Sequence, residues 1–315
     1  MSVRTGLHMK LAQAGRAFWL GAIGAQAVRL VGWLAVGLAL LVIWAARGFV
    51  FEGDLGALNS SIRLYGSVFL IGLAAVEYLL ALVCWRLFEP GERLRPAWLL
   101  LSFAAACRLL GLIGANLYSG FAFWGDRPFR GPAAEEAGFI REISLTFSTP
   151  ISAVFMVVGL FIVLRAYKSL GMLRRPGIAG AIGLVATAVF LVFEGLEFAR
   201  WLAGLTAPAP PIKWLSWLND PLIGLLLLEA VLLARAASAM QGGLIGSCWR
   251  AYAVAIFLTA LGELGIWATN YGWLPWQYVY VNSCVWMAAA AGFALAPAYQ
   301  VEAIVRAKNP WLSAA

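Results

Sequence analysis

The chain is poor in charge and in the side chains that most often carry enzyme chemistry. Only 12% of its 315 residues are charged, and its one histidine is His8. A single histidine excludes haem held by two histidines and hydrolysis by a metal held in a histidine cluster. The sequence also contains no HExxH motif, no nucleophile elbow and no glycine-rich phosphate loop. An enzyme is therefore the least supported class, and we expect no catalytic residues, no cofactor and no metal.

Cysteine is also scarce. The four cysteines, at positions 84, 107, 248 and 284, form no CxxC pair and have no metal-type spacing. We therefore expect reduced cysteines that lie within or near apolar segments.

Apolar residues are abundant, at 63% of the chain, and this composition requires a lipid environment. A membrane-spanning helix needs about 20 mostly apolar residues, and eight runs of that kind occur. They lie near residues 28–47, 64–86, 97–118, 144–166, 177–200, 219–239, 250–270 and 277–299. The sequence therefore predicts an all-α polytopic membrane protein with eight transmembrane helices, surrounded by the lipid bilayer.

Basic residues are distributed unequally between the two sides of the predicted membrane. Fifteen lie on the side of the termini, seven lie on the opposite side, and Arg108 alone lies within a span. Because basic loops favour the cytoplasm, we predict an inner cell membrane protein with both termini cytoplasmic. Residues 1–27 then form a cytoplasmic or interfacial segment, and loop 119–143 is external. The net charge of +8 reflects this topology and contact with anionic lipids, and not nucleic-acid binding.

Two eight-residue stretches of the chain share five residues in order. Residues 70–77 read LIGLAAVE and residues 222–229 read LIGLLLLE, so that Glu77 and Glu229 lie 152 residues apart. Further matches follow in order: Phe103, Gly111 and Asn116 recur 154 residues later, and Phe161, Ala166 and Tyr167 recur 132 residues later. These matches predict a parallel tandem repeat of two four-helix units, 28–170 and 171–315, about an axis along the membrane normal. The alternative is chance, because Leu, Ala, Gly and Phe fill both halves.

Proline marks one predicted helix start. The sequence Asn219-Asp220-Pro221 is typical of a capping residue followed by proline at the first helical position. We therefore expect the sixth span to begin there, with Asp220 as its cap. Carriers often have interrupted helices at their binding site, and only Pro150 and Pro221 are candidates for such an interruption.

Six ionisable side chains in the predicted spans form the candidate site. Glu77, Arg108 and Glu229 lie near the membrane midplane, and Glu194, Glu197 and Glu263 lie nearer the outside. A charge at the bilayer centre costs at least about 2.5–3.5 kcal/mol, so these groups should face the interior of the bundle. The repeat alignment predicts that Arg108 contacts Glu263 or Glu229 near the repeat axis.

These side chains allow three interpretations. They can form ion pairs that fix the helix register, such as Arg108 with Glu77 or with Glu229. They can line a polar cavity that binds a small cation or relays protons. They can also line a pocket for an amphipathic ligand. Since acids outnumber bases here, we expect at least one carboxyl group to be protonated or bound to a cation.

The function that the sequence favours is a proton- or cation-coupled small-molecule transporter with its substrate between the two halves. The alternative is a non-enzymatic membrane sensor, or a structural subunit that binds other membrane subunits in a larger complex. A water-accessible cavity that reaches the glutamates would favour transport. A dry bundle in which every acid is paired would favour the sensor or subunit.

Overall fold

The computed structural model describes residues 15, 19–20, 23–24, 27–32, 37, 55–121, 132–173, 178–203, 213–240, 243–270, 272–274 and 278–309. Within these ranges every regular element is an α-helix. The helices whose ends are described are α1 (Leu55–Leu87), α2 (Arg95–Phe121), α3 (Pro132–Ser169), α4 (Ile178–Leu202), α5 (Lys213–Ala239), α6 (Leu244–Asn270) and α7 (Tyr278–Lys308). The predicted all-α class is confirmed for these residues.

Six of these helices are long and apolar enough to cross a membrane. Apolar stretches of 19 to 25 residues lie in α1, α2, α3, α5, α6 and α7, and α4 has a shorter one at Gly183–Val192. Of the first predicted span, 28–47, only residues 28–32 and 37 are described, and they are helical. The chain is therefore a multi-pass helical membrane protein with at least six candidate spans, and the count of eight stays a prediction.

Large apolar side chains on the outside of the bundle agree with a lipid environment. Phe161 on α3 is 59% exposed and Val189 on α4 is 63% exposed. Extended apolar surfaces of this kind are rare on soluble proteins, but acyl chains would cover them in a bilayer. The repeat alignment pairs Phe161 with Phe293, which is only 7% exposed. These two residues occupy different environments, and the repeat stays a prediction.

Two helices begin earlier than the sequence predicts. α3 starts at Pro132, inside the predicted loop 119–143, because proline suits the first helical position and the alanines and glutamates that follow favour a helix. α5 starts at Lys213 and contains Pro221 in its interior. The predicted cap at Asp220 is therefore wrong. A membrane helix can continue through proline because neighbouring helices hold it in place.

Six helices form a closed ring. α1 packs against α2, α2 against α3, α3 against α5, α5 against α6, α6 against α7, and α7 against α1. α4 packs against α5 outside the ring. Val31, in the helical residues 27–32, packs in one cluster with Leu73 of α1 and Ala291 of α7. The ring helices surround a common axis, where inward-pointing side chains can meet.

Most of the basic residues in the described part of the chain lie at one end of the ring. This end, named the basic end, carries the turn between α1 and α2, in which Gly91 adopts a φ of 98°. Its basic side chains are Arg86, Arg93, Arg95, Arg165, Lys168, Arg235, Arg250, Arg306 and Lys308. The opposite end is named the far end. Consecutive helices alternate in direction, so α1, α3, α5 and α7 run from the far end to the basic end.

Candidate functional site: a cavity on the ring axis

A cavity of about 180 Å³ lies on the axis, and all six ring helices line it. Most of its wall is apolar, with Leu112, Ile223 and Leu226 among the lining residues. Polar side chains occur at only a few places on this wall. This combination of an apolar wall and a few convergent polar groups is typical of small-molecule sites.

The cavity occupies the half of the ring nearer the far end. α1 lines it from Leu70 to Glu77, and α7 lines it from Trp286 to Phe293. Seven residues of helix rise by about 10 Å, so the cavity is about 10 Å deep. Because both helices run toward the basic end, Glu77 and Phe293 mark its inner end.

Arg108 and Glu77 form an ion pair at this inner end. The Glu77 side chain is 3% exposed, and the Arg108 side chain is 21% exposed. The guanidinium carbon of Arg108 lies 4.3 Å from the ring centre of Phe293, and its Nη1 atom lies 3.9 Å from Sδ of Met156. The guanidinium compensates the buried carboxylate, and the aromatic face adds a cation–π contact. The inner end of the cavity is therefore polar but carries no net charge from this pair.

The partner of Arg108 differs from the one that the repeat alignment predicts. The alignment favours Glu263 or Glu229, whereas the ion pair joins Arg108 to Glu77. The reason is the order of the helices in the ring, since α1 and α2 are packed neighbours. The pairing of Arg108 with Glu77, one of the two that the sequence allowed for helix register, is the one observed.

The other predicted site residues lie in different places. Glu263 of α6 lines the cavity together with Glu77 and Arg108. Glu229 of α5 is buried, and its Oε2 atom has no hydrogen-bond partner among the described residues, but it is not among the cavity-lining residues. Glu194 and Glu197 belong to α4, outside the ring, and their side chains lie outside the described residues.

The sequence analysis did not identify the polar side chains nearer the far end of the cavity. Ser148 and Thr149 of α3 and Asn219 of α5 line it. Asn219 is 8% exposed, and its side-chain oxygen has no partner within the described part of the chain. These residues adjoin Pro150 and Pro221, so small polar residues beside an intrahelical proline are the signal that could have identified them.

An aromatic plug, formed by Trp98, Tyr167, Trp249 and Tyr252, fills the axis between the cavity and the basic end. All four side chains are buried. The ring centre of Trp98 lies 5.8 Å from that of Trp249 and 6.2 Å from that of Tyr252. Trp249 donates a hydrogen bond to the Tyr167 hydroxyl group. Tyr252 lies 6.1 Å from Phe293 between ring centres, so the plug adjoins the inner end of the cavity directly.

Comparison with known proteins finds no relative: no family model, no curated protein and no solved structure matches the chain. Among the described residues, no group of three or more His, Cys, Asp or Glu side chains is placed to hold a metal ion. The cavity, its ion pair and the plug are therefore the features from which a function can be inferred.

Proposed function

We propose that this protein is a membrane carrier that binds a small molecule in the cavity on the ring axis. The observation that carries the proposal is the cavity itself, which all six ring helices line and which ends at a buried ion pair. Carriers commonly bind their substrates near the membrane midplane, between two repeated halves. Movement of one half against the other would open the plug toward the basic end.

The order of helix contacts supports two repeated halves. α1, α2 and α3 pack in sequence and α3 then meets α5, while α5, α6 and α7 pack in sequence and α7 then meets α1. A rotation that takes α1, α2 and α3 onto α5, α6 and α7 preserves all of these contacts. α4 then corresponds to the segment before α1, and each half has four helices.

Two close glycine contacts support the same correspondence. A Cβ atom on Gly159 of α3 would lie 3.3 Å from the Ala97 carbonyl oxygen of α2, and one on Gly292 of α7 would lie 3.2 Å from the Ala251 carbonyl oxygen of α6. Ala97 and Ala251 are 154 residues apart, and the two glycines are 133 residues apart. These contacts favour an alignment in which each residue of α7 lies 133 positions after its counterpart in α3, in place of the 132 positions that the sequence matches predict.

Two prolines beside the cavity support movement of the helices that carry them. Pro150 adjoins the lining residue Thr149, and Pro221 lies between the lining residues Asn219 and Ile223. Proline removes one backbone hydrogen bond from a helix and is a common place for bending. Since α3 and α5 begin well before these prolines and continue beyond them, both prolines lie inside a helix and not at a helix start.

The positions of the charged residues support an orientation of the protein in the membrane and the coupling of transport to protons. The basic end lies in the cytoplasm if basic loops follow their usual preference, which places the cavity toward the outer side. Glu263 lines the cavity, and Glu229 carries a buried carboxyl oxygen without a hydrogen-bond partner in the described residues. Intramembrane carboxyl groups of this kind often carry protons, so we propose proton coupling in preference to coupling by another cation.

Native Cys248 offers a test of opening toward the basic end. It is fully buried and precedes Trp249 of the plug. In a variant with only this cysteine, a small aqueous thiol reagent applied from the cytoplasmic side should label it slowly, because opening of the plug exposes it. A single cysteine at exposed Ser238 is the control that should label fast, and one at lipid-facing Phe161 should stay unlabelled.

The alternative function is a static sensor or subunit of a larger membrane complex. The complete burial of Trp98, Trp249 and Tyr252 in the plug favours it, because a tightly packed core is slow to open. If Cys248 stays unlabelled long after the cysteine at Ser238 has reacted fully, the carrier proposal is contradicted and the static function is preferred.

A further inference from the structure

We infer that the ligand of the cavity is a small, uncharged, mainly apolar molecule with a hydrogen-bond acceptor, such as a ketone or ester carbonyl, that binds Arg108. This inference rests on the proposed ligand-binding function of the cavity. It concerns the chemical class of the ligand and is independent of whether the ligand is transported.

The hydrogen bonds of Arg108 indicate an acceptor on the ligand. A guanidinium group has five N–H donors. Among the residues that the structure describes, Nη2 donates to Glu77, Nη1 contacts only the weak acceptor Sδ of Met156 at 3.9 Å, and Nε has no partner. The side chain is 21% exposed and lines the cavity. A ligand oxygen at the inner end would therefore meet a donor that lacks a good acceptor.

The charges around the inner end favour a neutral acceptor over an ion. Arg108 and Glu77 compensate each other at the inner end. An anionic ligand group would add negative charge beside the Glu77 carboxylate, and a cationic group at the inner end would face the guanidinium. Burial of an uncompensated charge is far more costly than burial of a hydrogen-bonded carbonyl group.

The size and walls of the cavity define the rest of the ligand. A space of about 180 Å³ is slightly larger than an engineered cavity of about 150 Å³ that holds benzene. The depth of about 10 Å suits one short chain or one substituted ring. Because Leu112, Ile223 and Leu226 form the wall, the part of the ligand beyond its acceptor is apolar.

Four probes of equal chain length separate the possible classes: 2-octanone, octane, octanoate and octylammonium. Each is titrated against a single-cysteine protein with Ala290→Cys, at a position that lines the cavity, in lipid nanodiscs. The rate of thiol labelling at each probe concentration gives an apparent dissociation constant. The amount of each probe that partitions into nanodiscs without protein, measured separately, corrects for partitioning of the probes into the bilayer.

We expect 2-octanone to bind at least about tenfold more tightly than octane, which corresponds to one hydrogen bond to a charged donor. Octanoate and octylammonium should bind more weakly than the ketone. Arg108→Lys keeps the positive charge but has one nitrogen in place of the guanidinium group, which can donate to Glu77 through Nη2 and to the ligand through Nη1. The advantage of the ketone over octane should therefore fall to about threefold or less. Thr259→Val, whose hydroxyl group already donates to the Ala255 carbonyl oxygen, is the matched cavity variant that should keep this advantage.

Several results would overturn the inference. Equal affinity for ketone and octane would mean that Arg108 does not hold the ligand, and tighter binding of either ion would assign a charged ligand class. Failure of all four probes to protect a reactive cysteine at position 290 would also overturn it while leaving a ligand-accessible cavity intact. An unreactive cysteine at that position would instead contradict the proposed function. If Arg108→Lys does not fold, the ranking of the four probes on the parent protein decides alone.

Discussion

The helix pairs α1–α2 and α5–α6 each contain one buried glutamate, but the two acids have different surroundings. Glu77 pairs with Arg108 of the next helix, whereas Glu229 has a carboxyl oxygen without a partner in the described residues. In the proposed repeat, Gly262 takes the place of Arg108, and a Cβ atom there would overlap the Trp286 indole. The comparison teaches that the proposed repeat extends to the helices and not to the site, since one half holds a charge pair where the other holds a glycine–tryptophan contact.

The largest effect should come from breaking the ion pair. Arg108→Leu leaves Glu77 buried without its partner, so we expect a loss of about 3–5 kcal/mol in the free energy of unfolding. Replacing both Arg108 and Glu77 by leucine should recover most of that loss, because no uncompensated charge remains. Chemical unfolding in detergent measures both values.

Arg250→Leu is the control for this prediction. Arg250 is exposed at the basic end and bonds only within its own helical turn among the contacts seen, so its replacement should change stability by less than about 1 kcal/mol. If the losses measured for Arg108→Leu and for Glu77→Leu simply add in the double variant, the two side chains are not energetically coupled.

The sequence predicted much of the scaffold and part of this site. Long apolar runs identified the six membrane-length helices, since bilayer thickness sets their length. Glu77 and Arg108 were identified by the cost of burying charge in lipid. Their pairing could not be derived, because it depends on which helices become neighbours in the ring. Asn219 was wrongly predicted to lie at a helix start, because the Asp-Pro step that follows it is typical of one. Tertiary contacts extend the helix back to Lys213, and the sequence of the step itself does not show them.

A smaller effect tests the likeness of the two halves. A Cβ atom on Gly111 would overlap the Ser148 side chain, and one on Gly265 would overlap the Asn282 side chain. Gly111→Ala and Gly265→Ala should therefore each cost about 1–3 kcal/mol through overpacking, and by similar amounts if the positions are equivalent. The midpoint of denaturant unfolding measures the loss.

Gly195→Ala is the control for these two substitutions, because nothing lies within 4 Å of a Cβ atom at that position of α4. Alanine favours a helix over glycine by up to about 1 kcal/mol, so this variant should be neutral or slightly more stable. A large loss at Gly111 with none at Gly265 would show that the two halves pack differently at this level.

The smallest effect is expected at Glu229. Glu229→Gln keeps the shape of the side chain and removes no ion pair that the structure shows, so unfolding stability should change by less than about 1 kcal/mol. Glu77→Gln should cost more, because it leaves the Arg108 guanidinium without a carboxylate. Equal losses at the two positions, measured under the same conditions, would mean that Glu229 also has a charged partner.

The ion pair between consecutive helices has a consequence for biosynthesis. A single arginine or acid at the centre of an inserting helix costs about 2.5–3.5 kcal/mol. α1 and α2 are joined only by residues 88–94, so the two helices can enter the bilayer as one hairpin whose opposite charges already neutralise each other. This hairpin can thus complete its insertion before the ribosome has made α5 and α6. Glu229 enters the bilayer later, in the hairpin of α5 and α6, which has Gly262 at the position that matches Arg108 in the proposed repeat. Glu229 must therefore insert as the neutral acid or beside helices that are already in place.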